Sequence, residues 1–223
     1  RFSRQKRQLL EYSAKLKTVE FTSSLNGQLS VVRQMVKTPS IIKYLENPDD
    51  PDLTAVAHEE LASYMQAYLS KSVFWVSDKD HVFWSDMKPA YNLDPNLPEN
   101  YWYNMTLKET EEYNFNINYN PDLKNTMLWV NAVVRNKAGQ TIGIAGSGIP
   151  LDSFINDMHE DLDPSLIMYL FNDDHEITGA KDQSILADHV QLLEKLPAIK
   201  GLDSKPYQIK IESSPRMELV FGK

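Results

Sequence analysis

Apolar residues recur every three or four positions at Leu9, Tyr12, Leu16, Val19, Leu25, Leu29, Val32 and Met35, with one gap. This spacing predicts a single helix over 3–36. Gly27 is its weak point, costing about 1 kcal/mol against Ala in a helix interior. At about 1.5 Å per residue such a helix extends roughly 50 Å. Pro39 ends it, and Ser40 is placed to cap a short extension through Tyr44. Beyond the turn at 47–51, a second stripe of Leu53, Val56, Leu61, Tyr64 and Tyr68 predicts a helix over 52–69.

The period then changes to two. The runs 72–77 and 81–85 flank Asp78-Lys79-Asp80 and read as a hairpin. With the turn centred between Lys79 and Asp80, Trp75 and Trp84 stand opposite each other on one face. A polar stretch rich in Pro and Asn follows from Lys88 to Asn100 and reads as a long, ordered loop leading into Tyr101-Trp102-Tyr103-Asn104. A strand is predicted over 115–120, then a second hairpin, 126–135 and 141–151, around a turn closed by Gly139. Asp152 reads as the cap of a helix through about Met158.

After an acidic run, 159–163, and Pro164, the pattern restarts. Strands are predicted over 166–171 and 177–180 with a turn between them, then a helix over 185–196 and closing strands over 207–212 and 217–221. The fold class is therefore α+β. A helix–hairpin–loop–hairpin unit precedes a shorter strand–helix–strand–strand unit. The expected division is 1–45 as a long helix, 46–160 as a first mixed module and 161–223 as a second.

Composition narrows the function. The chain has 223 residues and no cysteine, which excludes disulfide frameworks, thiolate metal sites and a cysteine nucleophile. No run of about 18 apolar residues is present to cross a bilayer. The chain opens on Arg1 without an initiator Met, as an excised segment of a longer protein would. The net charge of −8 is uneven: residues 1–17 carry +5 and the remainder −13. An acidic body repels nucleic acid. The basic start is either a solvated helix face or a contact for lipid headgroups.

The long helix, Phe74-Trp-Val-Ser-Asp-Lys-Asp80, Tyr101-Trp-Tyr103, Asn118-Tyr-Asn-Pro121 and Gly143-Ile-Ala-Gly-Ser-Gly148-Ile-Pro-Leu together resemble the double Cache (tandem PAS-like) sensor domains. The resemblance covers essentially the whole chain. It is most specific over 72–155 and architectural from 165 onward. It implies an extracytoplasmic small-molecule sensor domain, periplasmic or extracellular at the cell inner membrane. The receptor would be a histidine kinase, a methyl-accepting chemotaxis protein or a diguanylate cyclase, held by flanking transmembrane helices. It further implies a ligand in the membrane-distal module, a membrane-proximal module at 161–223, a possible homodimer through the N-terminal helix, and no enzymatic activity.

Within that family the amino-acid sensors carry an aromatic in the first strand, Arg-x-Trp-Tyr, Tyr-x-Asp and a final Asp. Here Trp75 stands for the first aromatic, and Trp102 and Tyr103 match Trp-Tyr. Asn100 replaces the Arg, Asn118 and Asn120 replace the Tyr and Asp, and Gly148 replaces the last Asp. With every charge gone, the expected ligand is not a typical α-amino acid.

The residues read alone allow the same site. Trp75, Trp84, Trp102 and Tyr103 make an apolar wall, and Asn118, Asn120 and Asn131 supply donors and acceptors; core packing accounts for Trp75 and Trp84 equally well, whereas Trp102 and Tyr103, at the mouth of the long loop, favour the pocket. No cofactor or metal site is expected. The run from Asp157 to Asp163 lacks the glycine and closing glutamate of a calcium loop. Asn104-Met-Thr106 fits the glycosylation acceptor pattern, which matters only in a eukaryotic secretory setting. The alternatives are a ligand-free structural or dimerisation module and a hydrolase using Asp and His of 157–175.

Overall fold

The computed structural model describes residues 4–120, 125–160, 162, 164, 167–171, 177–187, 207–209 and 217–222. Helix α1 runs Arg4–Met35, α2 Pro39–Glu46 and α3 Pro51–Ala67. Asp50 caps α3, accepting from the amides of Asp52 and Leu53 at 2.9 and 3.0 Å. Pro39 and Pro51 occupy first-turn positions, where a missing N–H has no consequence.

The chain forms two compact units. One comprises 26–116 and 129–149, the other 1–25, 117–128 and 150–223. A six-stranded sheet, most of whose residues fall in the first unit, is built from β1 Phe74–Ser77, β2 Val82–Ser85, β3 Lys88–Asn92, β4 Tyr113–Asn120, β5 Asn125–Arg135 and β6 Thr141–Pro150, in the order β3-β2-β1-β6-β5-β4. A helix α4, Tyr101–Glu109, follows a 3-10 turn at Pro98–Asn100. The expected hairpin register holds: Trp75 pairs with Trp84 across β1 and β2.

The stretch expected as a loop from Lys88 to Asn100 is instead partly strand. All five residues of β3 are exposed, and it pairs with β2 as the sheet's edge, with Trp84 opposite Pro89 and a bulge beside it. A proline that cannot donate is tolerated at an edge, which is why the Pro-rich composition concealed this strand.

In the other unit, α5 is Leu151–Glu160, and β7 Ile167–Phe171, β8 Ile177–Ala180, β9 Tyr207–Ile209 and β10 Met217–Gly222 make a second antiparallel sheet in the order β8-β7-β10-β9. Phe21 of α1 packs edge-on against Phe154 of α5, ring centroids 4.9 Å apart. Asp152 lies in the first turn of α5 rather than at its cap, and accepts from the Thr126 amide at 2.8 Å. A short helix α6 covers Ser184–Ala187. The rest of the helix expected over 185–196, the turn 172–176 and all of 210–216, including the end of the strand expected over 207–212, lie outside the described residues.

The stripe expected on α1 is only half buried. Leu25, Leu29, Val32 and Met35 are covered, at 1, 6, 0 and 0% exposure, whereas Leu9, Tyr12, Leu16 and Val19 are 48, 67, 43 and 63% exposed. The buried line toward the N-terminus runs through Lys17 and Phe21 instead. Lys17, Phe21 and Leu25 stand four residues apart on one face. The six-residue gap after Val19 marks where the two lines part.

Candidate functional site

The two faces of the six-stranded sheet divide the predicted wall. Side chains alternate along a strand, so Trp75 and Ser77 of β1 face α2 and α3 while Phe74 and Val76 face α4. On the helical face, Trp75 is fully buried and stacks on Trp84, centroids 5.4 Å and planes 8° apart. Its Nε1–H points at the Tyr44 hydroxyl, 3.3 Å away, and Ser77 Oγ donates to the Leu45 carbonyl at 2.7 Å. His58 of α3 fits edge-on between Trp75 and Trp84, with its Nε2 3.3 Å from the same Tyr44 hydroxyl. Burial holds the His58 imidazole below its ordinary pKa and raises that of Tyr44. Trp75 and Trp84 thus form a packing core on this face, and the single wall expected with Trp102 and Tyr103 is two separate clusters.

The second cluster lies between the other face and α4. Phe74, Val76, Phe83, Leu93, Tyr103 and Ile144 are buried together, with Trp102, Leu107 and Trp129 packed against them. Trp102, Tyr103, Thr106 and Leu107 lie one turn apart and share the inward side of α4. The half-buried indoles of Trp102 and Trp129 stand edge-on to Phe74, at 6.3 and 5.5 Å. Tyr103 sends its hydroxyl hydrogen to Asp78 Oδ1 at 2.7 Å, and burial together with that carboxylate holds the phenol strongly protonated. His81, in the left-handed region at φ 55°, places Nε2 3.2 Å from the same oxygen.

Polar groups continue this cluster into β4 and β5. Asn131 is 1% exposed, and its Nδ2 donates to Asn114 Oδ1 at 2.9 Å and Asn116 Oδ1 at 2.6 Å. Asn114 Nδ2 in turn donates to the hydroxyls of Thr106 and Thr110 at 2.8 and 2.9 Å. A buried amide requires such partners. Asn131 was expected at the site; Asn114, Asn116, Phe74, Phe83 and Trp129 were not. The alternation Asn114–Asn116–Asn118–Asn120 along one strand was the available signal.

Of the remaining expected residues, Asn118 is exposed and falls within the unit containing 117–128. The Asn120 side chain lies outside the described residues. Gly148 is buried in β6. Asn100 closes the 3-10 turn and donates to the Asp94 carbonyl at 2.9 Å. An open groove of about 450 Å³ runs along the other side of α4, lined by Pro95, Leu97, Pro98, Tyr101, Met105 and Glu109 among others. With Leu97 and Tyr101 largely exposed, it encloses little, whereas the cluster beneath α4 combines aromatic walls with oriented amides.

No protein-family model matches the chain, and no curated protein matches its sequence. Solved structures do share its fold. The ligand-binding domain of the Pseudomonas aeruginosa amino-acid chemoreceptor PctC, in complex with GABA, superposes with a TM-score of 0.72 at 17% identity, covering 96% of this chain and 98% of that one. The ligand-binding domain of the Pseudomonas fluorescens chemoreceptor CtaA with L-serine gives 0.67 at 18%, covering 95% and 94%. That of P. aeruginosa PctB with L-Arg gives 0.69 at 14%, covering 95% and 92%. The fold is therefore that of chemoreceptor ligand-binding domains, the double Cache architecture.

One expectation is corrected here. Loss of the charged motif residues had pointed away from a typical α-amino acid, yet proteins of this fold hold GABA, L-serine and L-Arg. Four motif positions are not the whole of recognition. The sequence motif does not show the carboxylate of Asp78, which folding brings onto Tyr103, nor the amides of Asn114, Asn116 and Asn131.

Proposed function

We propose that this chain is the extracytoplasmic sensor domain of a membrane-bound signalling receptor and that it binds a small molecule, amino acids included, between α4 and the six-stranded sheet. The observation carrying this reading is the cluster of Trp102, Tyr103, Phe74, Phe83 and Trp129 joined to the Asn114–Asn131–Asn116 amides, within a fold whose solved examples are ligand-binding domains. Apolar walls with a few oriented polar groups are what small-molecule sites require. Ligand affinity for one of two arrangements of α4 and the sheet would shift the population between them, and that shift is the signal.

The domain acts by binding rather than catalysis. Acyl or phosphoryl transfer needs a nucleophile, a base and an orienting group in one cleft. The ionisable groups beside this cluster, Asp78 and His81, engage each other and Tyr103. A kinase, a chemotaxis protein and a cyclase module are each compatible as the output of a domain of this kind.

A thermal-shift screen of the purified domain against amino acids, carboxylates, amines, sugars and nucleobases tests the reading. A ligand at about 100 times its Kd adds about 2.7 kcal/mol, which raises Tm by roughly 5–10 °C for a domain of this size. A shift abolished by Trp102→Ala supports the assignment. A flat response to every class overturns it.

A further inference from the structure

We propose that α1 and the cluster beneath α4 are energetically coupled through two consecutive residues of β6, Gly146 and Ser147, and that Gln28 is the positioning residue through which α1 takes part. The inference rests on the sensing function proposed above and names the contacts by which occupancy of that site reaches the long helix.

Consecutive residues of a strand face opposite sides of its sheet. Gly146 pairs with Phe74, and Ala145 with Trp75. Gly146 therefore lies on the α4 side, and Ser147 on the side of α2 and α3. Gln28, Ser70, Phe74, Gly146 and Ser147 all belong to the unit comprising 26–116 and 129–149.

Toward α4, no side chain separates β6 from the Phe74 ring. A Cβ on Gly146 would stand 2.8 Å from that ring and 1.8 Å from the Val130 carbonyl oxygen. The β6 backbone is thus held between the ring and β5. The same ring stacks on Phe83 at 5.5 Å and meets Trp102 and Trp129 edge-on. Close-packed interiors transmit a displacement rather than absorb it. A ligand that shifts either indole shifts the ring, and the ring shifts β6.

Toward the helices, the buried Ser147 hydroxyl is a junction. It accepts from Gln28 Nε2 at 2.7 Å and donates to the Ser72 carbonyl at 2.6 Å. Gln28 gives its other Nε2 hydrogen to Ser70 Oγ at 2.7 Å. Ser70 Oγ lies 3.3 Å from Ser147 Oγ, a second acceptor for the Ser147 hydrogen. The hydroxyl therefore has two discrete arrangements, one bonded to Ser72 and one to Ser70, and coupling between sites needs such an element. Leu29, Val32 and Met35 hold α1 in place by apolar contact, which is non-directional. The Gln28 hydrogen bonds add direction, and with Gln28 only 3% exposed, water does not replace a bond that is lost.

Hydrogen–deuterium exchange of the whole domain, read by mass spectrometry, tests the coupling. Phe74→Leu alters the ring on the α4 side alone. It should raise exchange in α1 over 26–35 by at least about threefold more than in α3. In a Gln28→Leu background the same substitution should raise the two helices alike. Phe74→Met displaces the same ring if Phe74→Leu does not fold. Calorimetric titration with L-serine, L-arginine and GABA supplies the reciprocal arm. Gln28→Leu should change the Kd of a binding probe by at least about threefold, although Gln28 lies across the sheet from the site. A merely structural Gln28 lowers the denaturation midpoint and leaves Kd alone.

Equal rises in α1 and α3 of Phe74→Leu overturn the coupling, and so does an unchanged Kd in Gln28→Leu; the sensing function survives both results. A domain that binds none of the three probes and stays flat in the thermal-shift screen overturns the sensing function, while the exchange pattern of Phe74→Leu still decides the coupling.

Discussion

The indoles of Trp75 and Trp84 lie face to face across the first hairpin, 5.4 Å apart and 8° from parallel, on the side of the sheet away from α4. Trp75 is fully buried and joined to Tyr44. Trp75→Ala should therefore cost about 3–5 kcal/mol, read as a fall in the urea midpoint at unchanged slope. Because the pair packs a core rather than lining the α4 site, Trp75→Phe should leave ligand affinity within about twofold while lowering Tm. A binding loss without a stability loss would return Trp75 to the site.

His58 makes the same cluster sensitive to acid. The Tyr44 hydroxyl takes the Trp75 N–H and is placed to give its own hydrogen to a neutral imidazole. Burial lowers the His58 pKa in the folded protein. As pH falls through the ordinary histidine value of 6.5, the unfolded chain takes a proton that the folded one resists, so stability drops. Above about pH 7.5 both states are neutral and the contribution vanishes. His58→Gln should flatten the part of the Tm-against-pH curve between pH 7.5 and 5.5. An unaltered curve would show that other groups set the acid response.

Gly146 of β6 has no room for a side chain. A Cβ there would sit 1.8 Å from the Val130 carbonyl oxygen and 2.8 Å from the Phe74 ring. Gly146→Ala should destabilise by about 1–3 kcal/mol through displaced backbone. Because the Phe74 ring must shift, ligand affinity should fall too, measured by calorimetry alongside denaturation.

Gln28 ties the described end of α1 to the sheet. Its Nε2 donates to Ser70 and Ser147 at 2.7 Å each, and Ser147 Oγ donates on to the Ser72 carbonyl at 2.6 Å. Gln28 is 3% exposed. Gln28→Ala leaves two hydroxyls short of a donor and should cost about 1–3 kcal/mol. Amide hydrogen exchange in α1 should rise first, because the helix loses its polar link to β6 while its apolar line stays covered.

Local periodicity was enough to read most elements and one tertiary detail. The alternation either side of Asp78-Lys79-Asp80 determined the Trp75–Trp84 register, because a hairpin turn fixes which residues oppose. The strand pattern over 126–135 put Asn131 in mid-strand, where an amide needs partners. The partners themselves could not be read, because Asn114 and Asn116 meet Asn131 only when β4 lies beside β5, and Thr106 and Thr110 meet Asn114 only when α4 and the turn after it are laid against β4.

What the sequence determined by itself was the order of helices and hairpins, the absence of thiol chemistry, and the aromatic and amide residues available to a site. Tertiary structure decided which face of the sheet each residue serves. It separated Trp75 from Trp102, made an edge strand of Lys88–Asn92 and covered Lys17 and Phe21 in place of Leu16 and Val19. A repeat of two or 3.6 residues specifies which side chains share a face, whereas what covers that face depends on segments far away in the chain.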